Sequence, residues 1–114
     1  MTREFILLPE FEKNWKSLGL DDKDLNLLQI ELVKDPEKGD LIVGTGGLRK
    51  VRIPCHDKGK SGGARVCYVD FAVCEKIYLI TAYNKSQKAN LTQMERNAIR
   101  FLIKKLEDVQ LERG

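Results

Sequence analysis

The run Ala64 to Val73, ARVCYVDFAV, sets the tightest limit on the fold. Apolar side chains fall on both alternating faces of this segment. A strand of that kind belongs in the middle of a sheet, because an edge or half-exposed strand would show polar residues on one side. Its neighbours in sequence also read as strands. From Leu48 to Pro54, Arg49, Val51 and Ile53 alternate with Leu48, Lys50 and Arg52. Lys76 to Tyr83 is the third. Their connections are short, which predicts an antiparallel meander. The stretch EFILL at 4–8 predicts a further strand that adds to the edge of that sheet.

The remaining periodicity is helical. Pro9 suits a first helical turn, and Phe11, Trp15 and Leu18 recur at i, i+4, i+7. Gly19 stops this helix. Asp21 is an N-cap for a second helix with Asp22 and Asp24 in its first turn and Leu25, Leu28 and Leu32 as its stripe. Pro36 and Gly39 in DPEKG end it. Thr92-Gln93-Met94-Glu95 fits a capping box. The helix it opens runs to about Leu111, with Met94, Ala98, Phe101, Leu102, Leu106 and Val109 predicted inward. The order β-α-α-β-β-β-α predicts an α+β fold: an antiparallel sheet of about four strands, an N-terminal helix pair and a C-terminal helix, with the helices on one face.

A chain of 114 residues is expected to form one domain with one core. No apolar run approaches the ~18 residues of a membrane span. The start, MTREFILLPEF, lacks the features of a signal peptide, which predicts a cytoplasmic protein with no membrane partner. Cys55, Cys67 and Cys74 are odd in number and lack CxxC spacing, so they read as small apolar side chains. With His56 they match no common zinc module. No metal or cofactor is expected.

Charge is unevenly spread. Residues 1–43 carry a net −4, residues 44–88 a net +6, and residues 89–114 a net +1. Between Gly44 and Tyr68, GTGGLRKVRIPCHDKGKSGGARVCY holds six of the nine glycines. A block this positive suits a polyanionic partner, most often nucleic acid. Nucleotide-binding motifs fail here. Gly59-Lys60-Ser61 resembles the end of a P-loop, but Pro54 stands where its first glycine belongs and a strand follows instead of a helix. GTGGLR has Arg49 in place of the third glycine of a dinucleotide fingerprint. His56 has no partner carboxylate at a telling spacing, so a catalytic triad is unsupported. What remains is a sheet bearing Lys50, Arg52, Lys58, Lys60, Arg65, Lys85 and Lys88, with Tyr68, Tyr78 and Tyr83 interleaved. Cations meet phosphates and an aromatic ring stacks on an unpaired base, a composition suited to single-stranded RNA.

Three segments, GTGGLRKVR, KGKSGGARVCY and IYLITAYNKSQKANLT, closely resemble the HigB branch of the RelE-like bacterial toxins. The likeness covers most of the chain. It implies a small α+β ribonuclease fold and cleavage of mRNA in the ribosomal A site. It also implies a neutralising antitoxin, HigA-like and of helix-turn-helix type, and repression of operator DNA through the toxin–antitoxin complex.

Cleavage of RNA by its own 2′-hydroxyl needs a base, positive charge for the phosphorane and a proton for the departing 5′-oxygen. Histidine usually serves as base and acid, but the chain has one. Toxins of this family use lysine, arginine and tyrosine. A lysine begins near pKa ~10.4, and neighbouring cations disfavour its charged form. Lys50 and Arg52 are two apart on a strand and share a face. Carried over by position, Lys50 is the base candidate, Arg52 and Arg65 the charge stabilisers, and Tyr83 or Lys85 the proton donor. Lys58, Lys60, Lys88 and Tyr68 are expected to hold RNA. Arg49 faces the side of Val51 and Ile53 and ranks lower. His56 maps to no family residue and is either a surplus loop histidine or the acid, and Ser61 stands where another cation is expected. Two other readings fit the same residues: a non-catalytic RNA- or ribosome-binding module, and a degenerate toxin that acts mainly through its antitoxin. Whether the antitoxin covers the basic face or binds elsewhere stays open.

Overall fold

A computed structural model describes residues 2–54 and 63–113, of which 111–113 by backbone alone. The chain runs β1 (Glu4–Leu7), α1 (Pro9–Ser17), α2 (Asp22–Lys34), β2 (Asp40–Leu41), β3 (Arg49–Ile53), β4 (Ala64–Phe71), a 3-10 turn (Ala72–Cys74), β5 (Lys76–Asn84) and α3 (Gln93–Arg113). The five strands form one sheet in the order β1-β5-β4-β3-β2. The α+β class and the meander β3-β4-β5 are as expected. The sheet is mixed, because β1 lies parallel to β5 at its edge. The extra strand is β2, two residues in the segment after α2 that pair with Lys50 and Arg49.

Helices cover both faces of the sheet, which corrects the expectation of one. Alternation along the central strands feeds two cores. Val51, Ile53, Ala64, Val66, Tyr68, Ile77 and Leu79 pack with Phe11 and Trp15 of α1 and Leu28 and Leu32 of α2. Cys67, Val69, Tyr78 and Ile80 pack with Ile103 of α3, backed by Ile99, Leu102 and Leu106. A strand apolar on both faces must be covered on both faces, and it is the packing of α3 that supplies the second cover.

Local signals set the helix ends. Pro9 opens α1, and the rings of Phe11 and Trp15 stack one turn apart with centroids at 5.2 Å. Asp21 and Asp24 complete a reciprocal capping box at α2. At α3, Thr92 Oγ1 accepts from the Glu95 amide at 3.1 Å and Glu95 Oε1 from the Thr92 amide at 2.8 Å. Leu102 and Leu106 face the core as expected, but Met94, Ala98, Phe101 and Val109 do not lie on the buried face of α3. Ile103 is fully buried, while Met94 and Phe101 are 81% and 64% exposed. Polar contacts at both ends set this rotation: Glu95 is bonded to Lys88, and Gln110 Nε2 donates to Tyr78 Oη at 2.8 Å. The stripe of Met94, Ala98 and Phe101 is therefore turned outward.

Tyr68 ties the segment after α2 to the sheet. Its ring is fully buried, and its hydroxyl donates to Pro36 O at 2.8 Å and accepts from the Gly39 amide at 2.9 Å. Gly39 passes so close that a Cβ there would sit 2.9 Å from Lys50 O and 3.0 Å from the Tyr68 ring. Arg49 completes the tie, donating to Gly39 O at 2.7 Å and Glu37 O at 3.2 Å. Thr45, also buried, accepts the Leu48 amide and donates to Ile42 O, which shapes the turn into β3. The Tyr68→Phe variant leaves two buried backbone groups without their partner. It should lose about 1–3 kcal/mol of unfolding free energy in urea titration, with the sheet otherwise intact.

Candidate RNA-cleavage site

The register across β3, β4 and β5 assembles the basic residues. Arg52 is paired with Arg65, and Arg65 with Tyr83. One step along, Lys50 is paired with Cys67. Residues directly opposite each other share a sheet face. Cys67 and Tyr83 belong to the core beneath α3, so Lys50, Arg52, Arg65 and Tyr83 all lie on that face. Arg52 is exposed, Lys50 half-buried, and Arg65 and Tyr83 are 7% and 5% exposed. The row thus grades from solvent into the margin of a core.

A β-bulge makes this alignment possible. The pairing passes from Cys67–Thr81 to Tyr68–Leu79 and leaves Ile80 without an opposite residue. Strict alternation from Tyr78 would put Ala82 on the α3 face and Tyr83 on the other. Beyond the extra residue the parity is reversed: Ala82 lies in the core under α1 and α2, and Tyr83 under α3. Bulges re-aim side chains in this way beside functional sites. Helix α1 secures the shifted segment. Asn14 Oδ1 accepts from Thr81 Oγ1 at 2.8 Å and from the Ala82 amide at 3.1 Å.

Burial governs the electrostatics. The Tyr83 hydroxyl has no hydrogen-bond partner among the described residues. Desolvation pushes its pKa up to about 12, helped by Cys67 and opposed by Arg65. Cys67 lies under the row, and burial pushes its thiol up to about 12 against the pull of Lys50 and Lys88. It is therefore a neutral packing residue and no nucleophile.

The segment from Lys85 to Leu91 folds back over the row. Lys50 Nζ donates to Asn90 Oδ1 at 3.3 Å. Lys88 Nζ sits 5.3 Å from the Tyr83 ring centroid and donates to Glu95 Oε2 at 2.5 Å. That ammonium, and then the Thr92 amide, hold the Glu95 carboxyl below the usual carboxylate range. Lys85 is exposed, and its amide donates to Gly63 O at 3.3 Å. Gly63 itself holds a positive φ of 59°, and a Cβ there would meet Ile53 O at 2.2 Å.

Several sequence expectations change. Tyr68 cannot stack on a base, because its ring is wholly buried in the opposite core and its hydroxyl is committed to backbone. Lys58 and Lys60, with His56 and Ser61, lie outside the described residues. Sequence reasoning missed Asn90 and Asn14, for which no local signal exists. It read Glu95 only as a helix cap, although that cap directly follows the basic loop. The larger described cavities lie away from the row. One of about 340 Å³, between α2 and the end of β3, is lined by Leu27, Leu28, Ile30, Ile53 and Pro54 with Asp24, Glu31 and Lys34, and holds none of the row's residues.

Two outcomes test this geometry. The raised pKa of Tyr83 means that the folded state favours the neutral phenol. Its contribution to stability is complete below the unfolded value of about 10 and is lost as pH rises towards about 12. Unfolding free energy measured across that window should fall more steeply for the wild type than for Tyr83→Phe. Separately, Asn14→Ala strips two groups of their acceptor and should cost about 1–3 kcal/mol by urea titration. Asn14→Asp keeps an acceptor and should cost less.

Comparison with known proteins agrees with this architecture. The fold is similar to that of E. coli toxin RelE in the free state, in a mutant carrying two arginine-to-alanine changes. The TM-score is 0.54 at 15% identity, over 78% of this chain and 90% of that one. At such identity the likeness is one of fold. Residues 7–113 match the family described as the RelE toxin of the RelE/RelB toxin–antitoxin system. With nearly its whole length matched, and a basic row built across the central strands of the shared fold, the chain belongs to the RelE toxin family.

Proposed function

We propose that this protein is the toxin of a type II toxin–antitoxin system and acts as a ribosome-dependent mRNA endonuclease of the HigB branch. The observation that carries the reading is the row Arg52–Arg65–Tyr83, with Lys50 one step along the same face. Like charges directly opposite each other in a sheet do not favour strand pairing, and this row gathers cations on one face. Such an arrangement is a poor stability device and a good receptor for the charge of a phosphorane.

Lys50 takes the proton of the 2′-hydroxyl, which attacks the adjacent phosphorus. Arg52 and Arg65 stabilise the negative charge that builds on the phosphoryl oxygens. The P–O5′ bond breaks, a 2′,3′-cyclic phosphate forms and the 5′-oxygen takes a proton. Tyr83 is the better donor of the two candidates: it lies opposite Arg65 and its hydroxyl has no hydrogen-bond partner among the described residues, whereas Lys85 is exposed. No step calls for a metal. Lys58 and Lys60 extend the cationic path for mRNA or ribosomal RNA. A HigA-like helix-turn-helix antitoxin neutralises the toxin, and their complex binds operator DNA. The site of action is the cytoplasm.

Inducible expression of the wild type and Arg65→Ala, with mRNA 5′-end mapping on translated and untranslated transcripts, tests this. The wild type should arrest growth and cut only translated mRNA. Arg65→Ala should lose roughly 10²–10³ in cleavage rate, the scale of one removed oxyanion-stabilising donor. A soluble wild type that leaves growth and mRNA unchanged would make the row a binding surface alone.

A further inference from the structure

Lys88 differs from the other cations of the site. Its ammonium already has a counter-ion, Glu95 Oε2 at 2.5 Å, and it lies over the face of Tyr83 at 5.3 Å from the ring centroid. Glu95 is fixed in turn. Its second oxygen, Oε1, accepts the Thr92 amide at 2.8 Å, and its own amide donates to Thr92 Oγ1. The first turn of α3 therefore holds Glu95, Glu95 holds Lys88, and Lys88 covers the ring of Tyr83. A lysine meant to grip RNA backbone gains from a solvated, unneutralised head. This one is only half-exposed, and its ammonium already contacts both Glu95 and the Tyr83 ring.

We propose that Lys88 and Glu95 are a positioning pair for Tyr83: Glu95 fixes the Lys88 ammonium over the phenol ring, where it favours the phenolate formed as Tyr83 gives its proton to the departing 5′-oxygen. The inference rests on Tyr83 being the acid. A cation is drawn only weakly to the face of a neutral ring. It is drawn far more strongly to a phenolate. The interaction therefore grows between the ground state and the transition state, which is the condition for it to accelerate the step. As the P–O5′ bond breaks, its electron pair stays on oxygen and the Tyr83 proton moves there. The phenolate later regains a proton from solvent. Tyr83 has the most to gain from such help, because its hydroxyl is buried. Among the described residues, the groups facing it are Arg65 and Cys67 from β4, Lys88 from the loop and Glu95 from α3. Glu95 alone would oppose the phenolate. With Lys88 between them, it serves as an anchor.

The test is single-turnover cleavage of a short mRNA on programmed ribosomes, at saturating toxin. Wild type, Tyr83→Phe, Lys88→Met, Lys88→Arg and Glu95→Gln are compared. Each RNA carries either an ordinary 5′-oxygen or a 5′-bridging sulfur at the cleaved bond, since sulfur leaves without a proton. Lys88→Met should slow the saturated step roughly tenfold to a hundredfold, within the range of general-acid effects. Half-saturation should change little. Lys88→Arg should restore most of the rate. Glu95→Gln keeps the helix cap and should slow the same step by a smaller factor. The deficits of Tyr83→Phe, Lys88→Met and Glu95→Gln should all shrink on the sulfur substrate. If Lys88→Met instead raises half-saturation and lowers the salt dependence by about one phosphate contact, with the saturated rate unchanged, Lys88 is an RNA-backbone contact. An equal slowing on both substrates would make the pair structural only. Either result overturns the inference while leaving Tyr83 as the acid. A full-speed Tyr83→Phe on ordinary RNA would sink the acid assignment itself, and the positioning role with it.

Discussion

The fold depends on the burial of β4 on both faces. Val66 and Tyr68 point into the core under α1 and α2, and Cys67 and Val69 into the core under α3. Paired with β5 along its length and with β3 from Ala64 to Tyr68, this strand joins the two halves of the molecule. The site exploits that arrangement. At one end of β4 the apolar residues give way to Arg65, which faces Arg52 on β3. Like charges placed directly opposite each other oppose pairing by a fraction of a kcal/mol to about 1 kcal/mol. Each fully buried aliphatic side chain further along contributes about 1.5–3 kcal/mol. The cores can therefore hold a row of cations in place at little relative cost.

Where the row points is a separate matter, and the bulge at Ile80 decides it. One extra residue reverses the parity of β5, so that Tyr83 joins the cations and Ala82 takes its place in the other core. Asn14 connects this local irregularity to α1 by accepting the Ala82 amide and the Thr81 hydroxyl. A residue in the first helix thus supports the side-chain direction of a residue at the end of the last strand. The N-terminal helices are part of the machinery that aims the site, through the bonds of Asn14 to Thr81 and Ala82.

The last helix contributes in a parallel way. Its capping box satisfies the amide of Thr92, and the same Glu95 side chain anchors Lys88. One carboxylate thereby links the start of α3 to the loop over Tyr83. The contacts that hold the loop include Lys88 on Glu95, Asn90 on Lys50, the Lys85 amide on Gly63, and Leu91 in the core. This also rotates α3 and turns Met94 and Phe101 outward, against the simplest apolar stripe in its sequence.

Much of the fold was legible in the sequence because it follows from short-range rules. Pro9, Asp21 and Thr92 mark helix starts by the needs of unpaired amides. The alternation around Val51 and Ile53, and the two-faced run in β4, mark strands by their period. The cations of the site were legible by type and by the resemblance of their motifs. Three things were not. The second helical layer, the bulge that re-aims Tyr83 and the commitment of Tyr68 to Pro36 and Gly39 all depend on partners distant in sequence. A sequence determines which side chains are available and how each short segment prefers to run. The choice of face for a tyrosine, and of partner for its hydroxyl, is made only when strands pair in register and buried polar groups must find one another.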